Sequence, residues 1–542
     1  MKANYKQMII ETQYLSRSKK LLISYITPKG KMETEYFDWE TPFKYVRCSE
    51  NDPEKDLKYH AWEGDPIKKV YGGYPDRYAT YEFLDSLKMS EEQYNKIFGF
   101  NLPDTYFIDI ETEVVDGFPD PETAPTMIQS ISIVFDDKII LYGLKPLSKE
   151  EIKRIEEKTN EYFKNFDTTY QLSYIKFEDE FNMLYHFFNT ALKNMPCITG
   201  WNFLDFDFRF LVNRAEKLTK ESNGKLWTIE PRLCSYSRKM NHIWKTNYQV
   251  PAHKLVFDYM LLYKSLDTTV KVKESNSLDF VSKELLGVGK IDHSGSLMEL
   301  YEEDFEKFMY YNAVDSVLVQ KIHERGGYLN IIFAIASLAK IQATDVYSYS
   351  NGALGSLAIT EGVLREKFRN EENVVFFGES SDDKSARIAK QKIYDKNGNI
   401  IEELKRIEGG GVKPPAVGVN KWVACYDFAS LYPTTQRQFF IAPENFIGVS
   451  INKDDEYFKT AYGKDVKIDR EEDVIIKVEN KAVQEGQPGR FIYKAFKKKY
   501  SPTLKMLEEI YNNRKKEKKK MMKIKLEIAD LEKKLDKLKN TL

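Results

Sequence analysis

Asp109 and Glu111, in the run Phe107-Ile108-Asp109-Ile110-Glu111-Thr112, are the first residues of this chain whose types and spacing point to chemistry. The apolar stretch from Tyr106 to Ile110 reads as a strand, and a period of two puts both acids on one face of it. Neighbouring carboxylates repel each other unless a cation lies between them, and Mg²⁺ or Mn²⁺ prefers such oxygen ligands. The competing reading is a strand edge with two solvated acids. Further on, Cys197-Ile198-Thr199-Gly200-Trp201-Asn202 reads as a strand that leads through Phe203-Leu204-Asp205-Phe206 into a helix running through Asn213-Arg214. Asp207 therefore falls where strand gives way to helix, a common place for working side chains, while Asp205 as a helix N-cap is the structural alternative. In Phe308-Met309-Tyr310-Tyr311-Asn312-Ala313-Val314-Asp315 a helical pattern sets Tyr311 and Asp315 one turn apart on one face, against the alternative of a surface helix with a half-buried tyrosine.

The elements that must position these residues are legible in outline. Two strand-like runs, Ile131 to Phe135 and Ile139 to Leu144, are joined by Asp136-Asp137-Lys138, which reads as a hairpin turn. A helical pattern spans about Phe177 to Leu192. Three strands followed by alternating helix and strand predict a mixed α/β sheet. Before it, residues 1–103 alternate in short strand-like runs, such as Met8 to Ile10 and Leu21 to Ile26, with Asn101-Leu102-Pro103-Asp104 as a boundary. After it, Tyr328 to Leu338 reads as a helix, and Asp395-Lys396-Asn397-Gly398-Asn399 as a hairpin turn between Ile393 and Ile400.

The totals bound the class. With 542 residues, 42% of them hydrophobic and 30% charged, the chain is long enough for about three to four globular domains. A net charge of −1 rules out a polycation, so any nucleic-acid affinity comes from local basic patches. The 35 tyrosines and 33 phenylalanines supply stacking surface for bases as well as core. Cys48, Cys197, Cys234 and Cys425 lie far apart, which argues against a zinc knuckle and against a disulfide framework, and for a reducing compartment. The sequence offers no apolar run long enough to span a membrane, and the opening Met1-Lys2-Ala3-Asn4-Tyr5-Lys6 lacks a signal-peptide core, so a cytosolic protein with no membrane partner is expected.

Taken in order, Asp109-Ile110-Glu111, then Thr199-Gly200-Trp201-Asn202 ending in Phe206-Asp207, then Tyr311 and Asp315, resemble the three motifs of the DEDDy 3′→5′ exonucleases, and more narrowly the proofreading domain of family B DNA polymerases. The resemblance implies an RNase H-like domain that hydrolyses phosphodiesters with two Mg²⁺ or Mn²⁺ ions about 4 Å apart, one making a water nucleophilic and the other neutralising the leaving 3′ oxygen. Asp109, Glu111, Asp207 and Asp315 would hold the ions. Tyr311 would orient the attacking water rather than deprotonate it, since its ordinary pKa is near 10. The resemblance also implies Phe118 as a wedge against the terminal base. Phe257-Asp258-Tyr259 and Asn276-Ser277-Leu278-Asp279 match the same domain, and Lys290 in Gly287-Val288-Gly289-Lys290 either faces the scissile phosphate or, as is commoner for lysine, points to solvent.

A second set of residues carries the resemblance into the polymerase. Val423-Ala424-Cys425-Tyr426-Asp427-Phe428-Ala429-Ser430-Leu431-Tyr432-Pro433 resembles polymerase motif A nearly letter for letter. This implies that Asp427 binds two metal ions with the Phe428 carbonyl, that Ser430 and Leu431 cradle a dNTP triphosphate, and that Tyr432 excludes a 2′-hydroxyl. Upstream, Gly409 and Gly410 in Ile407-Glu408-Gly409-Gly410-Gly411 stand where the family touches template DNA, although the tyrosine of that motif is missing and a plain linker is the alternative. Ser501-Pro502-Thr503 opens a long helix on which Arg514 and Lys518, one turn apart, resemble the triphosphate-binding pair of the first fingers helix. From 511 to 542 there are 12 Lys or Arg against 5 Asp or Glu, and Ile524, Ile528, Leu531, Leu535, Leu538 and Leu542 step by 4, 3, 4, 3 and 4, an apolar seam that expects a partner helix.

The second fingers helix, the D-T-D motif and the thumb of that family are not in the sequence, and Asp427 alone is poorly suited to hold two Mg²⁺ ions. The expected organisation is thus multidomain, α/β and α+β: an N-terminal domain, 1–103, rejoined by 328–400; an exonuclease domain, 104–327; a partial palm, 401–500; and the first part of the fingers, 501–542. The expected function is the N-terminal part of a T-even-like phage family B DNA polymerase with proofreading, working on primer-template DNA and dNTPs in the cytoplasm of an infected bacterium. A C-terminal polymerase subunit would complete it and connect it to a sliding clamp. The alternatives are a free-standing DEDDy exonuclease and a non-catalytic DNA-binding scaffold.

Overall fold

Strand β1, Thr105–Thr112, alternates apolar and polar side chains, and its apolar members Phe107, Ile108 and Ile110 are buried while Asp109 and Glu111 are half-buried. It is the fourth of six strands in one sheet. β2, Ile128–Phe135, and β3, Lys138–Gly143, form an antiparallel hairpin beside it, turning at Asp136-Asp137, with Asp136 in the left-handed region (φ 54°). β4, Gln171–Lys176, adds to β3 in parallel at one edge. On the other side β5, Cys197–Gly200, and β6, Leu255–Asp258, run parallel to β1, giving the order β4-β3-β2-β1-β5-β6. Every residue of β5 and β6 is buried, as for parallel strands covered on both faces.

Helices cover this sheet: α1, Lys149–Tyr162; α2, Glu180–His186; α3, Asp207–Glu221; α4, Tyr259–Leu266; α5, Leu278–Leu286; α6, Leu297–Glu303; α7, Phe305–Gly326; and α8, Tyr328–Ala339. The central one is α7, which packs on β1, β2, α1 and α5 and buries Tyr311, Asn312 and Asp315. Each end of α7 is defined locally, by the Asp304 side chain accepting the Lys307 N–H and by Gly327 in the left-handed region (φ 61°).

The computed structural model describes residues 9–15, 18–26, 32–39, 44–49, 51–62, 64–70, 90, 92, 102–114, 117, 119–221, 238–243, 246–250, 254–267, 274–292, 295–344, 346, 362–365, 367–368, 373–375, 392–394, 400–403, 418, 430–460, 464–479 and 485–539. The chain divides into two compact units, Met1–Thr41 with Gly73–Gly362, and Pro42–Gly72 with Val363–Leu542. The first holds the six-stranded sheet, a three-stranded antiparallel sheet of Ile9–Leu15, Lys20–Ile26 and Met32–Asp38, and a hairpin of Arg238–Ile243 and Thr246–Val250. In the second, Val374–Val375 pairs in parallel with Lys55–Ala61, so a segment more than 300 residues further along the chain completes the sheet of Lys44–Arg47, Lys55–Ala61 and Pro66–Val70. A five-stranded sheet, in the order Asp465–Lys467, Tyr457–Lys459, Phe446–Ser450, Phe491–Lys497, Asp473–Glu479, encloses a core of Ile447, Phe458, Ile468 and Ala495. Helix α9, Leu431–Gln438, packs on the start of α10, Pro502–Lys539, where the Arg437 guanidinium meets Glu508 at 2.5 Å and the Tyr500 hydroxyl at 3.1 Å. No described helix is long and apolar enough to cross a membrane.

Three expectations need correction. The helix foreseen from Phe177 starts at Glu180, because the Phe177 N–H bonds to Gly143 and prolongs the sheet edge while the Asp179 side chain caps at Asn182; from Phe187 to Ala191 the helix widens into a π turn. Helix α1 and strand β4 lie between the hairpin and that helix, and α1 escaped notice because only Ile155 and Thr159 of its 14 residues are buried. Lys290 points not to solvent but to Asp315 and Tyr311.

Candidate active site

Asp109 and Glu111 leave β1 on the face that α7 crosses. From α7 Asp315 reaches them, and one oxygen of each carboxylate lies within 4.8 Å of the others. Asp207, the first residue of α3, is almost fully buried, and its Oδ1 accepts the Ile110 N–H at 3.2 Å, against the backbone between the two strand acids. The four acids named by the sequence are thus gathered, three as a cluster and the fourth beside it.

The neighbours of this cluster fix its geometry. The Asn312 amide donates to Asp109 Oδ2 at 2.7 Å and accepts the Ser130 hydroxyl at 3.1 Å, so α7 and β2 together hold one carboxylate. The Lys290 ammonium donates to Asp315 Oδ2 at 2.5 Å and to the Tyr311 hydroxyl at 3.2 Å. The loop carrying that lysine is itself tied down: its Lys290 N–H donates to Asp279 Oδ1 at 2.9 Å, and the Tyr162 hydroxyl donates to the Gly289 carbonyl at 2.8 Å. A side chain at Gly289 would collide with Asp279 and Lys283, which explains glycine there. Asp258, fully buried, caps α4 through the Leu261 N–H at 3.2 Å and accepts the Leu204 N–H at 3.0 Å, pinning the turn that delivers Asp207. The Trp201 indole N–H donates to the Asn276 carbonyl at 2.9 Å, and a Cβ at Gly200 would strike the Ile108 carbonyl. The motif residues around 200, 258 and 279 therefore act as a scaffold for the acids and for Lys290.

Burial and mutual repulsion push every acid of the cluster up. Burial, and then Asp315, raises the Asp109 carboxyl to about 7, against the pull of Lys290 and the Asn312 amide. Glu111 is held well above its ordinary value by burial, with Asp109 and Asp315 adding to it, and Asp207 by burial and then Asp109. Asp315 is raised by burial, with Lys290 opposing. Burial alone would lower Lys290, but Asp315, Tyr311 and Asp109 keep it above its ordinary value, so it stays a cation. Tyr311 is raised by burial and then by Asp315. A buried set of acids that cannot all ionise alone fits a divalent cation, which would favour their charged forms. A further sign is Asp315 Oδ1, which is buried without a hydrogen-bond partner.

The second set of sequence residues is only partly in view. Ser430, in the left-handed region (φ 53°), precedes α9, and Leu431 and Tyr432 open that helix with Tyr432 73% exposed. Arg514 on α10 donates to the Ser430 hydroxyl at 3.0 Å, and Lys518 follows it, exposed, one turn on. Asp427, Phe428, Phe118, Gly409 and Gly410 lie outside the described residues. Asn312 and Ser130 are the site residues that sequence reasoning missed; the available signal was a polar residue three places before Asp315 on the buried face of α7.

Residues 86–273 match the family model of the DNA polymerase family B exonuclease domain. Asp109 and Glu111 on the sheet and Asp207 at the strand-to-helix turn lie within the matched residues, while Asp315 on the crossing helix lies beyond them. Over 78% of its length the chain is 23% identical to the DNA-directed DNA polymerase of Escherichia phage RB69, and likewise 23% identical over 78% to that of Enterobacteria phage T4, covering 46% of each protein. It is 25% identical, over 70% of its length, to DNA polymerase 1 of Sulfurisphaera ohwakuensis, of which it covers 40%. The chain is similar to these phage DNA polymerases and spans about half the length of the curated relatives it matches.

Proposed function

We propose that this chain is the N-terminal part of a phage family B DNA polymerase and carries its 3′→5′ proofreading exonuclease. The observation that carries the nuclease is the meeting of Asp109, Glu111 and Asp315 oxygens within 4.8 Å, the first two of them inside the stretch that matches the exonuclease domain of that family. The sheet order, with three antiparallel strands followed by two parallel ones, supports an RNase H-like fold. Asp109, Glu111, Asp207 and Asp315 hold two Mg²⁺ or Mn²⁺ ions, which when bound supply an activated water and neutralise the leaving 3′ oxygen. Tyr311 keeps its proton, because its pKa is raised, and so donates a hydrogen bond that orients the attacking water. Lys290, a cation at the mouth of the same cluster, meets the charge of the scissile phosphate. Asn312 keeps Asp109 in one rotamer throughout. Phe118 wedges against the terminal base.

The same reading gives the second set of residues to DNA synthesis, together with a C-terminal part of the polymerase. Asp427 and the Phe428 carbonyl hold metal, Ser430 and Leu431 cradle the triphosphate, Tyr432 excludes ribose, and Arg514 and Lys518 bind the incoming dNTP. The bond from Arg514 to Ser430 supports placing those two groups at one site. Gly409 and Gly410 touch template. An N-terminal domain, 1–103 rejoined by 328–400, an exonuclease domain, 104–327, a partial palm, 401–500, and a first fingers segment, 501–542, make up the chain; the return of Val374–Val375 to Lys55–Ala61 supports a discontinuous N-terminal domain. A C-terminal polypeptide completes the enzyme in the host cytoplasm and links it to a sliding clamp.

The test uses the purified chain, Mg²⁺ and single-stranded DNA labelled at its 5′ end. Shortening from the 3′ end is expected, and Asp109→Ala should cut the rate by about 10²- to 10³-fold with an unchanged circular dichroism spectrum. Undiminished hydrolysis by that variant overturns the assignment. No digestion by the wild type favours a DNA-binding scaffold. Digestion without DNA synthesis, even when the C-terminal polypeptide is added, favours a free-standing exonuclease.

A further inference from the structure

Helix α1 buries only Ile155 and Thr159, so core packing alone does not account for it. Its polar side chains bind it to α7. The Arg154 guanidinium donates twice to Glu306 Oε2, at 3.0 and 2.7 Å, and the Lys158 ammonium donates to Glu306 Oε1 at 2.8 Å. One turn further along α7, the Tyr310 hydroxyl donates to the Lys158 carbonyl at 3.5 Å. Because 154 and 158 on α1 follow 306 and 310 on α7, the two packed helices run side by side in the same direction. Each rises about 1.5 Å per residue. Tyr162, the last residue of α1, therefore comes level with the part of α7 between Tyr311 and Asp315.

At that level the Tyr162 hydroxyl donates to the Gly289 carbonyl at 2.8 Å. The next residue, Lys290, reaches Asp315 Oδ2 at 2.5 Å and the Tyr311 hydroxyl at 3.2 Å. The contacts close a ring that leaves α7 at Glu306, passes along α1 to Tyr162, crosses to Gly289 and Lys290, and returns to α7 at Asp315. A lysine is a compact charge on a flexible stem, so its ammonium stands at a fixed place only if the backbone beneath it is held. Asp279 holds one side of that backbone by accepting the Lys290 N–H at 2.9 Å, and Tyr162 holds the peptide before it.

We infer that Tyr162 is a positioning residue for phosphodiester hydrolysis. Through the Gly289 carbonyl it sets where Lys290 meets the scissile phosphate, and α1 is the strut that carries it. This rests on the proposed function, which gives Lys290 that task. Phenylalanine at 162 would keep the ring and delete only the tie.

Two measurements on the full chain test the role of Tyr162. Backbone hydrogen exchange, read by mass spectrometry on peptides covering 287–292, requires no activity. Tyr162→Phe should speed exchange there several-fold and leave the Arg154 end of α1 unchanged. Single-turnover digestion of 5′-labelled single-stranded DNA with Mg²⁺ gives the second readout. Tyr162→Phe should lower the maximal rate about 10-fold without moving the DNA concentration for half-maximal rate. In a Lys290→Met background, already slow, the same substitution should cost nothing more, since two residues acting through one contact are not additive. Unchanged exchange at 287–292 overturns the inference. So does a Tyr162→Phe chain of full rate, or an equal loss in both backgrounds, which would make Tyr162 a general support of the fold. Lys290→Met digesting DNA at the wild-type rate is a different failure: the task given to Lys290 is then wrong, and the role of Tyr162 falls with it whatever the exchange shows.

Discussion

Asp109 shows what the cluster costs when no cation is present. Its carboxyl is raised to about 7, mainly by burial and then by Asp315, whereas in an unfolded chain it titrates near its ordinary 3.8. Between those values the folded state binds a proton that the unfolded state has lost, so the stability of the metal-free protein falls as pH rises through that window. Asp109→Asn removes the ionisation. In EDTA the variant should show less loss of stability than the wild type between pH 5 and pH 8, and be more stable at pH 8 by about 1–2 kcal/mol, as measured by urea denaturation. A steeper loss in the variant would contradict the raised carboxyl. Asn312 has a different part: it touches Asp109 and Ser130 but no reacting group. Asn312→Ala should lower the nuclease rate about 10- to 100-fold, as loss of an outer partner of a metal ligand does, with KM for DNA unchanged. Single-turnover digestion measures it, and a shift in KM alone would assign Asn312 to DNA binding instead.

At the scale of elements, the position of Asp207 depends on how α3 is held. Arg214 on α3 makes paired bonds to Glu180 at 2.7 to 3.1 Å, Glu180 also accepts the Ile128 N–H at 2.7 Å, and both side chains are nearly buried. The helix is thus tied to α2 and to the start of β2. Arg214→Ala leaves a buried carboxylate with its cation gone and should destabilise the protein by about 3–5 kcal/mol in denaturant. Glu180→Gln, which keeps the Ile128 bond and loses only charge, should cost less; equal losses would mean that packing, not pairing, holds α3. Elements of this kind differ in how clearly the sequence announces them. β1, the β2–β3 hairpin, α7, α8 and α10 carry strong periodicity or firm caps, and the sequence places them within a few residues. α1 and β4 carry little buried apolar surface, so their pattern is faint. The acids could be found because each sits at a recognisable point, a strand face, a strand end or a helix turn. Lys290 could not be placed, because the loop that aims it is held by Tyr162 and Asp279, 127 and 11 residues from their partners in it. Nor could Asn312, whose role exists only once β2 and α7 touch.

For the molecule as a whole, the division into two units separates the two sets of chemical residues. Asp109, Glu111, Asp207 and Asp315 all belong to the unit of Met1–Thr41 and Gly73–Gly362, whereas Ser430, Tyr432, Arg514 and Lys518 belong to that of Pro42–Gly72 and Val363–Leu542. A ligand that binds only folded protein stabilises the unit whose residues hold it, by about 2.7 kcal/mol at a hundred times its dissociation constant. Buried carboxylates that repel one another gain most, since a cation between them removes the repulsion as well as adding bonds. Scanning calorimetry at pH 8 should therefore resolve two transitions, and Mn²⁺ should move one of them upward by several degrees while the other stays in place. In Asp109→Asn/Asp315→Asn the metal-free transition of the first unit should already lie higher, and Mn²⁺ should no longer move it. Equal shifts of both transitions in the wild type would mean that the ion binds elsewhere as well. A shift that survives in the double variant would remove these carboxylates as its ligands, because no other trio of acidic, cysteine or histidine side chains among the described residues brings ligand atoms as close together.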